Sequence, residues 1–462
     1  MKTIKTPILP IHQTIVKVEG KHKLDLEAIC MFAAIGFFFD TDTYWKDEKV
    51  LSPGTISTVN EKDELISSKK WFEWHYTPRA ISFNDTLQEF TDLFETIIEE
   101  QTSNKKVILP ISGGLDSRTQ ATALKHLEAD IFSYSYEFQN GYSETKIAEQ
   151  IASICDFDFQ SFKIKEGYLW DKLDDLVNLN QCYSDFTSPR QMAIADEFSE
   201  MGDVFCLGHW GDVLFDSYNC KSMSHDEQAQ FLSHKLLKRG GLEFASDLWQ
   251  VWHLEGDFKT YFENRISKAL NEIKITDTNA RLRVFKSKYW ASRWTSVNLS
   301  VFEKYRPIRL PYYDNRMCEF ICSIPEKFLK DRQLQIAYVK KRSPELAKVT
   351  WQDKRPYNLN NYKNQNALKT LNYKIQNKIR RSLNSVLGKP YIQRNWELQF
   401  LGETNREQLE AVITKSNLKD FVSEDIIERY VSNFFRENDL QNAHTINMLL
   451  VLAKFNQNRI NA

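Results

Sequence analysis

Ser112-Gly113-Gly114-Leu115-Asp116-Ser117 is the stretch of this 462-residue chain whose residue types and spacing best fit chemistry. Two adjacent glycines let a backbone turn sharply with no side chains in the way, so several amide N–H groups can converge on one point. Those amides, the Ser112 and Ser117 hydroxyls and the positive end of a following helix dipole would hold phosphate oxygens. Asp116 would repel a bare phosphate, so its place in the loop implies an intervening cation, most simply Mg2+. The same residues could instead form a tight strand-to-helix turn in which Asp116 caps the helix. A position directly after a buried-type strand and before a helical segment favours the anion site. The loop is not of the G-x-x-x-x-G-K-S/T form, which occurs nowhere in the chain.

Hydrophobic patterning indicates the elements that must position this loop. Residues 107–111 read as a short buried strand, followed after the glycine turn by a helix over 117–128. Strands at 131–138, 159–164 and 204–207 alternate with helices at 144–154 and 188–200. That order predicts the α/β class, with a mostly parallel, doubly wound sheet and right-handed crossovers. Ligands in such sheets sit beyond the carboxyl ends of the strands. Residues 1–82 read as a small β-rich domain, and 83–104 as a connecting helix with apolar positions at Leu87, Phe90, Leu93, Phe94, Ile97 and Ile98. The sheet domain then covers 105–360, and 361–462 form a helical C-terminal region. Within the latter, Lys369, Lys374, Lys378, Arg380 and Arg381 alternate with Leu371, Ile375, Ile379 and Leu383, an amphipathic pattern with a solvated basic face.

The 61 Lys and Arg residues against 62 Asp and Glu leave a net charge of −1, which argues against nucleic-acid binding through bulk positive charge. A hydrophobic fraction of 42% can fill real cores. No apolar run is long enough to span a bilayer, and the first residues lack the apolar core of a secretion signal. Seven scattered cysteines fit reduced thiols and a cytoplasmic protein better than a disulfide framework. Cys318 and Cys322 lie one helical turn apart, but no second pair completes a zinc site, and packing is the expected role.

The Ser112–Ser117 loop resembles the S-G-G-x-D-S loop of the PP-loop ATP pyrophosphatases, which split ATP between the α and β phosphates and adenylate a substrate. Later segments are similar to the synthetase domain of the asparagine synthetase family. Gly208-His209-Trp210-Gly211-Asp212-Val213-Leu214-Phe215-Asp216-Ser217-Tyr218 is similar to its G-x-G-x-D-E-x-F-x-G-Y. Arg309-Leu310-Pro311-Tyr312-Tyr313-Asp314 is similar to its R-x-P-F-x-D, and Trp351-Gln352-Asp353-Lys354 to its W-x-x-K. Gly36-Phe37-Phe38 through Ser52-Pro53-Gly54 resembles the end of the family's glutaminase domain, in a shortened form. The resemblance implies a PP-loop fold that uses ATP and Mg2+ to join a carboxylic acid to an amine or ammonia, with aspartate as the family's acid.

Roles then follow position by position. Ser112, Gly113, Gly114 and Ser117 would cradle pyrophosphate, and Asp116 and Asp212 would hold Mg2+ on the phosphates. Ser133, Tyr134 and Ser135 would meet adenine through their backbone, and Gly208 and Gly211 would keep the second loop close to substrate. Lys354 would follow charge through the transition states, and Tyr183 would hydrogen-bond near the acyl acceptor. Arg309 and Asp314 read as structural, and His209 as either a substrate contact or a loop-bonding residue. The family's glutaminase nucleophile is a cysteine after the initiator Met. Lys2 stands there in this chain, so the nitrogen is expected from ammonia, a separate glutaminase, a carrier protein or an amine on the substrate. Val213 replaces an acidic residue of the motif, and Gln181 stands where the synthetases place a glutamate. Alternatives are a specialised amidotransferase or cyclase, like the β-lactam synthetases, the lasso-peptide cyclases or a sugar-acid amidating enzyme, and a nucleotide-binding module without turnover.

Overall fold

Short strands open the chain: β1 (Lys2–Lys5), β2 (Ile15–Lys17), β3 (Glu48–Val50), β4 (Thr55–Val59) and β5 (Leu65–Lys70). The computed structural model describes residues 1–139, 145–364, 370, 371, 373, 375, 397–437 and 440–461. Strands β1, β4 and β5 form one antiparallel sheet, and β2 pairs with β3 in a second. Between them lies a helix that the strand-rich reading did not foresee, α1 (Leu26–Ile35), buried from Ala28 onward. Its sequence is apolar on every side, as expected of a helix with no solvent face. Asp25 caps its start by accepting from the Ala28 amide, and Gly36 ends it at φ +82°. α1 packs on the helix Gly241–Val251, so residues 1–82 share the main core. Only Val16, Leu51 and Val59 form a buried cluster of their own.

Helix α2 (Phe83–Thr102) follows, capped by Ser82, whose hydroxyl accepts from the Asp85 amide. It buries Phe90, Phe94, Ile97 and Ile98, matching the sequence spacing. The parallel sheet consists of β6 (Val107–Pro110), β7 (Ile131–Phe138), β8 (Asp158–Ile164), β9 (Val204–Cys206) and β10 (Ile308–Arg309), in the order β10-β9-β6-β7-β8. All four pairings are parallel. Val107, Ile108 and Leu109 are wholly buried, the continuous apolar run of a strand covered on both faces. α3 (Leu115–His126) comes between β6 and β7, α4 (Thr145–Cys155) between β7 and β8, and α5 (Tyr168–Asn180) follows β8. From β6 the chain winds toward β7 and β8, and later returns to β9 and β10 on the other side. The switch point therefore lies between β6 and β9, and the loops leaving their carboxyl ends are the two glycine motifs.

The C-terminal region is helical, with Glu403–Lys415, Glu424–Glu437 and Ala443–Asn461. Its last helix enters the core, where Phe455 stacks on Tyr44 at 3.6 Å between ring centroids. The basic amphipathic pattern of 363–387 falls mostly outside the described residues. Cys318 and Cys322 are buried and unpaired, and the Cys322 thiol bonds to the Cys318 carbonyl at 3.3 Å. Among the described residues no helix is long and apolar enough to cross a membrane.

Candidate active site

A cavity of 470 Å³ lies over the carboxyl ends of β6, β7 and β9. Ser112, Asp116 and Ser117 line it from the first loop, Tyr134, Ser135 and Tyr136 from β7, and Gly208, His209 and Asp212 from the second loop. The first loop is tied internally. The Ser112 amide donates to Ser117 Oγ at 3.1 Å, the two hydroxyls are 3.1 Å apart, and the Gly114 amide donates to Ser112 Oγ at 3.2 Å. α3 starts at Gly114 with no side-chain cap, so Asp116 does not serve as one. Gly113 donates its amide to Gln352 Oε1 at 3.0 Å and accepts from the Gln352 amide at 3.0 Å. A Cβ on Gly113 would stand 2.5 Å from Gln352 Oε1, which explains the glycine. Buried Arg118 on α3 donates to the carbonyls of Val349 and Thr350 at 2.9 and 2.7 Å, holding the strand of chain that carries Trp351–Lys354 against the loop.

Asp116 points across to a residue that no motif marked. Its Oδ1 accepts from Arg332 Nη2 and from Gln335 Nε2, the latter at 3.1 Å. Arg332 Nε in turn donates to Gln335 Oε1 at 2.9 Å, and Gln335 Nε2 also donates to the Tyr312 hydroxyl at 2.8 Å. Burial raises the Asp116 carboxyl to about 6, and the neighbouring Asp212 charge adds to that against the pull of Arg332 and Gln335. Asp212 is exposed at the start of the short helix Gly211–Leu214. The two loops touch: a Cβ on Gly211 would collide with Asp116 Oδ1 and stand 2.7 Å from Tyr312 Cε2. One on Gly208 would stand 3.1 Å from Asp116 Cβ.

Among the described residues no three His, Cys, Asp or Glu side chains gather as a metal cage. Two carboxylates lining one cavity could instead serve a Mg2+ carried on phosphates. That ion takes one or two carboxylates and fills its remaining positions with phosphate and water. Asp116 and Asp212 fit this role.

Ser133 does not line the cavity. It is fully buried, and its hydroxyl donates to the Asp158 carbonyl at 2.7 Å. Tyr134 does line it, with its hydroxyl bonded to Gln191 and its carbonyl accepting from the Ile111 amide at 2.8 Å. Lys354 lines a second cavity of 360 Å³, which shares Asp212, Val213 and Lys286 with the first. Tyr183 lines neither of these two cavities. Gln181 and Cys182 end α5 at φ +50° and +61° and turn the chain toward the N-terminal segment. There the Tyr183 ring packs on Phe38 and Tyr44 at 5.4 and 5.3 Å, and burial pushes its hydroxyl up to about 12. Arg309 donates to the Gln101 carbonyl at 3.1 Å and Asp314 caps the helix Asn315–Cys322, both structural roles.

The sequence reading missed Arg332 and Lys286, and it left His209 open. His209 lines the first cavity with its Nδ1 buried and without a partner among the described residues, and burial lowers its ring to about 4, so it is neutral. Lys286, Trp290, Trp294 and Thr295 complete the wall. They come from one helical segment with nine residues of π geometry, Ser287–Thr295, which sequence patterning does not reveal.

No curated protein matches the chain. Among solved structures it is similar to the NMN synthetase from Francisella tularensis, at 11% identity over 44% of this chain and 93% of that one, with a TM-score of 0.23. It is also similar to the NH3-dependent NAD synthetase from Campylobacter jejuni subsp. jejuni NCTC 11168, at 15% identity over 41% and 95%, with a TM-score of 0.22. The asparagine synthase family model matches residues 89–421, most of the chain and all of the elements that build the site. The protein therefore belongs to the asparagine synthase family, and it is an ATP-dependent, amide-forming carbon–nitrogen ligase of the PP-loop type.

Proposed function

We propose that the protein adenylates a carboxylic acid and passes the acyl group to a nitrogen nucleophile, without glutaminase activity of its own. The observation that carries this reading is the meeting of the two loops, with Asp116 and Asp212 lining one cavity at the switch point of the sheet. Adenine would lie against the main chain of Tyr134–Tyr136, and the triphosphate over Ser112–Ser117. Asp116 and Asp212 would hold a Mg2+ that neutralises phosphate charge. A carboxylate oxygen attacks the α-phosphorus and pyrophosphate leaves with the electrons of the broken P–O bond. The nitrogen lone pair then attacks the acyl carbon, AMP leaves with its oxygen, and the surplus N–H proton passes to a base or water. Neutral His209 can accept or donate one hydrogen bond at the cavity wall. Lys354, in the adjoining cavity, would offset charge on the departing phosphates. Aspartate is the acid that the family suggests, and ammonia, a separate glutaminase or a substrate amine would supply the nitrogen. Cysteine usage supports a cytoplasmic setting.

Exchange of labelled pyrophosphate into ATP across a panel of carboxylic acids tests this, with wild type beside Asp116→Ala. Acid-dependent exchange that disappears in the variant is the expected result. ATP binding with no exchange for any acid in a broad panel would overturn adenylation in favour of a module without turnover.

A further inference from the structure

Lys286 is the one Lys or Arg among the described residues that line the 470 Å³ cavity, and the adenylation chemistry gives it no task. It ends the helix Thr278–Lys286, just before the π segment Ser287–Thr295, and α geometry returns at Ser296–Glu303. π geometry inside a helix is rare and recurs at functional sites. Here it accompanies a spacing in which residues 286, 290 and 294 all reach the same cavity.

The ammonium stands 6.0 Å from the Trp210 ring centroid, 5.6 Å from Tyr218 and 5.3 Å from Trp290. This cage is braced from behind. Trp210 Nε1 donates to Ser287 Oγ at 3.0 Å, and Phe37 stacks on Trp290 at 5.6 Å. Burial, helped by the Lys235 charge, lowers the Lys286 pKa against the pull of Asp212 and Asp216. A desolvated ammonium ringed by aromatic faces is partly compensated by cation–π attraction, and a ligand anion would complete it. It lies on the wall shared by the two cavities, beside Asp212.

We propose that Lys286 binds the carboxylate of the acid to be activated, and that the indoles of Trp210 and Trp290 select an acid with a flat, apolar-faced body. A compact dicarboxylate such as aspartate finds no second Lys or Arg among the described residues of this cavity for its other carboxylate. This assignment rests on the adenylation reading and names the class of its substrate.

Calorimetry on the full chain separates the two claims, using Mg·ATP, benzoate, benzyl alcohol and L-aspartate as probes. Wild type should bind benzoate more tightly than aspartate, and should not bind benzyl alcohol. Lys286→Met should weaken benzoate by about tenfold or more while ATP affinity stays within about threefold. Lys286→Arg should keep most benzoate binding, and Trp290→Leu should weaken it with the lysine intact. The assignment falls if aspartate binds more tightly than benzoate, if Lys286→Met leaves benzoate unchanged, or if that variant loses ATP and benzoate in parallel. Should Lys286→Met not fold, Lys286→Arg and Trp290→Leu decide the matter through the same benzoate titration. Wild type that fails to bind Mg·ATP at all strikes the adenylation reading instead.

Discussion

Gly113 and Gln352 exchange two hydrogen bonds, each at 3.0 Å, one through the Gln352 side chain and one through its backbone amide. The Gln352 carboxamide oxygen thus sits on an amide that a phosphate oxygen would also claim. Because Lys354 follows two residues later, the phosphate loop and the segment carrying this lysine are mechanically joined. Gln352→Ala should free the Gly113 amide and loosen Lys354 at once. In pyrophosphate exchange the expected outcome is a KM for ATP that is unchanged or lower, with kcat reduced about tenfold. A higher KM with unchanged kcat would show that Gln352 helps to bind the nucleotide.

The Asp116–Arg332 pair predicts an asymmetric mutational response. Arg332 is 7% exposed, so removing it leaves a desolvated carboxylate facing Asp212. Arg332→Met should cost about 3 kcal/mol of stability in urea unfolding. Adding Asp116→Asn should return part of that loss, since the amide carries no charge and can still accept from Gln335. Equal and additive losses in the double-mutant cycle would mean that the two side chains do not depend on each other.

How much of this was legible in the sequence depends on the distance over which each feature is set. The Ser112–Ser117 loop, its flanking strand and α2 are dictated by neighbouring residues, and apolar spacing with paired glycines was enough to place them. Asp212 and Gly211 were readable through the motif resemblance. Arg332 was not, because its meaning lies in Asp116, 216 positions away. Lys286 became visible only with the π segment, a backbone feature without a spacing signature. Tyr183 lies away from both cavities because the two left-handed residues before it redirect the chain, and neither is a glycine. Lys354, read from its motif, stands in the second cavity, joined to the first through Asp212 and Lys286.

Acid should weaken the fold through His444, whose Nε2 lies 2.9 Å from the Ala33 carbonyl on α1. Burial, helped by the Lys238 charge, lowers this ring to about 4 from its ordinary 6.5. Folded and unfolded chains are both neutral there above the ordinary value, so the contribution is fully present at neutral pH. As pH falls the unfolded chain takes up the proton first, and stability drops until the folded ring also titrates. Over that window the loss is about 3 kcal/mol at most. His444→Gln can keep the donor to Ala33 without the titration. Its unfolding free energy should therefore fall less than that of wild type between about pH 7 and pH 4, and parallel curves would refute the assignment.

The contact between the two loops can be tested at Gly211, where the backbone is not left-handed and the glycine is required by space alone. A methyl there meets Asp116 Oδ1 and lies 2.7 and 2.9 Å from two ring atoms of Tyr312, which is wholly buried and cannot retreat. Gly211→Ala should push Asp116 and Asp212 apart, at a stability cost of about 1–3 kcal/mol. Gly256 provides the contrast: it sits at φ +74°, and a methyl added there would have no described atom within 4 Å, so Gly256→Ala carries a backbone cost only. If Asp116 and Asp212 act on one phosphate-bound cation, Gly211→Ala should weaken Mg·ATP binding about tenfold or more while Gly256→Ala leaves it unchanged. Equal ATP affinity in both variants, at comparable loss of stability, would mean that the spacing of these two carboxylates does not govern nucleotide binding.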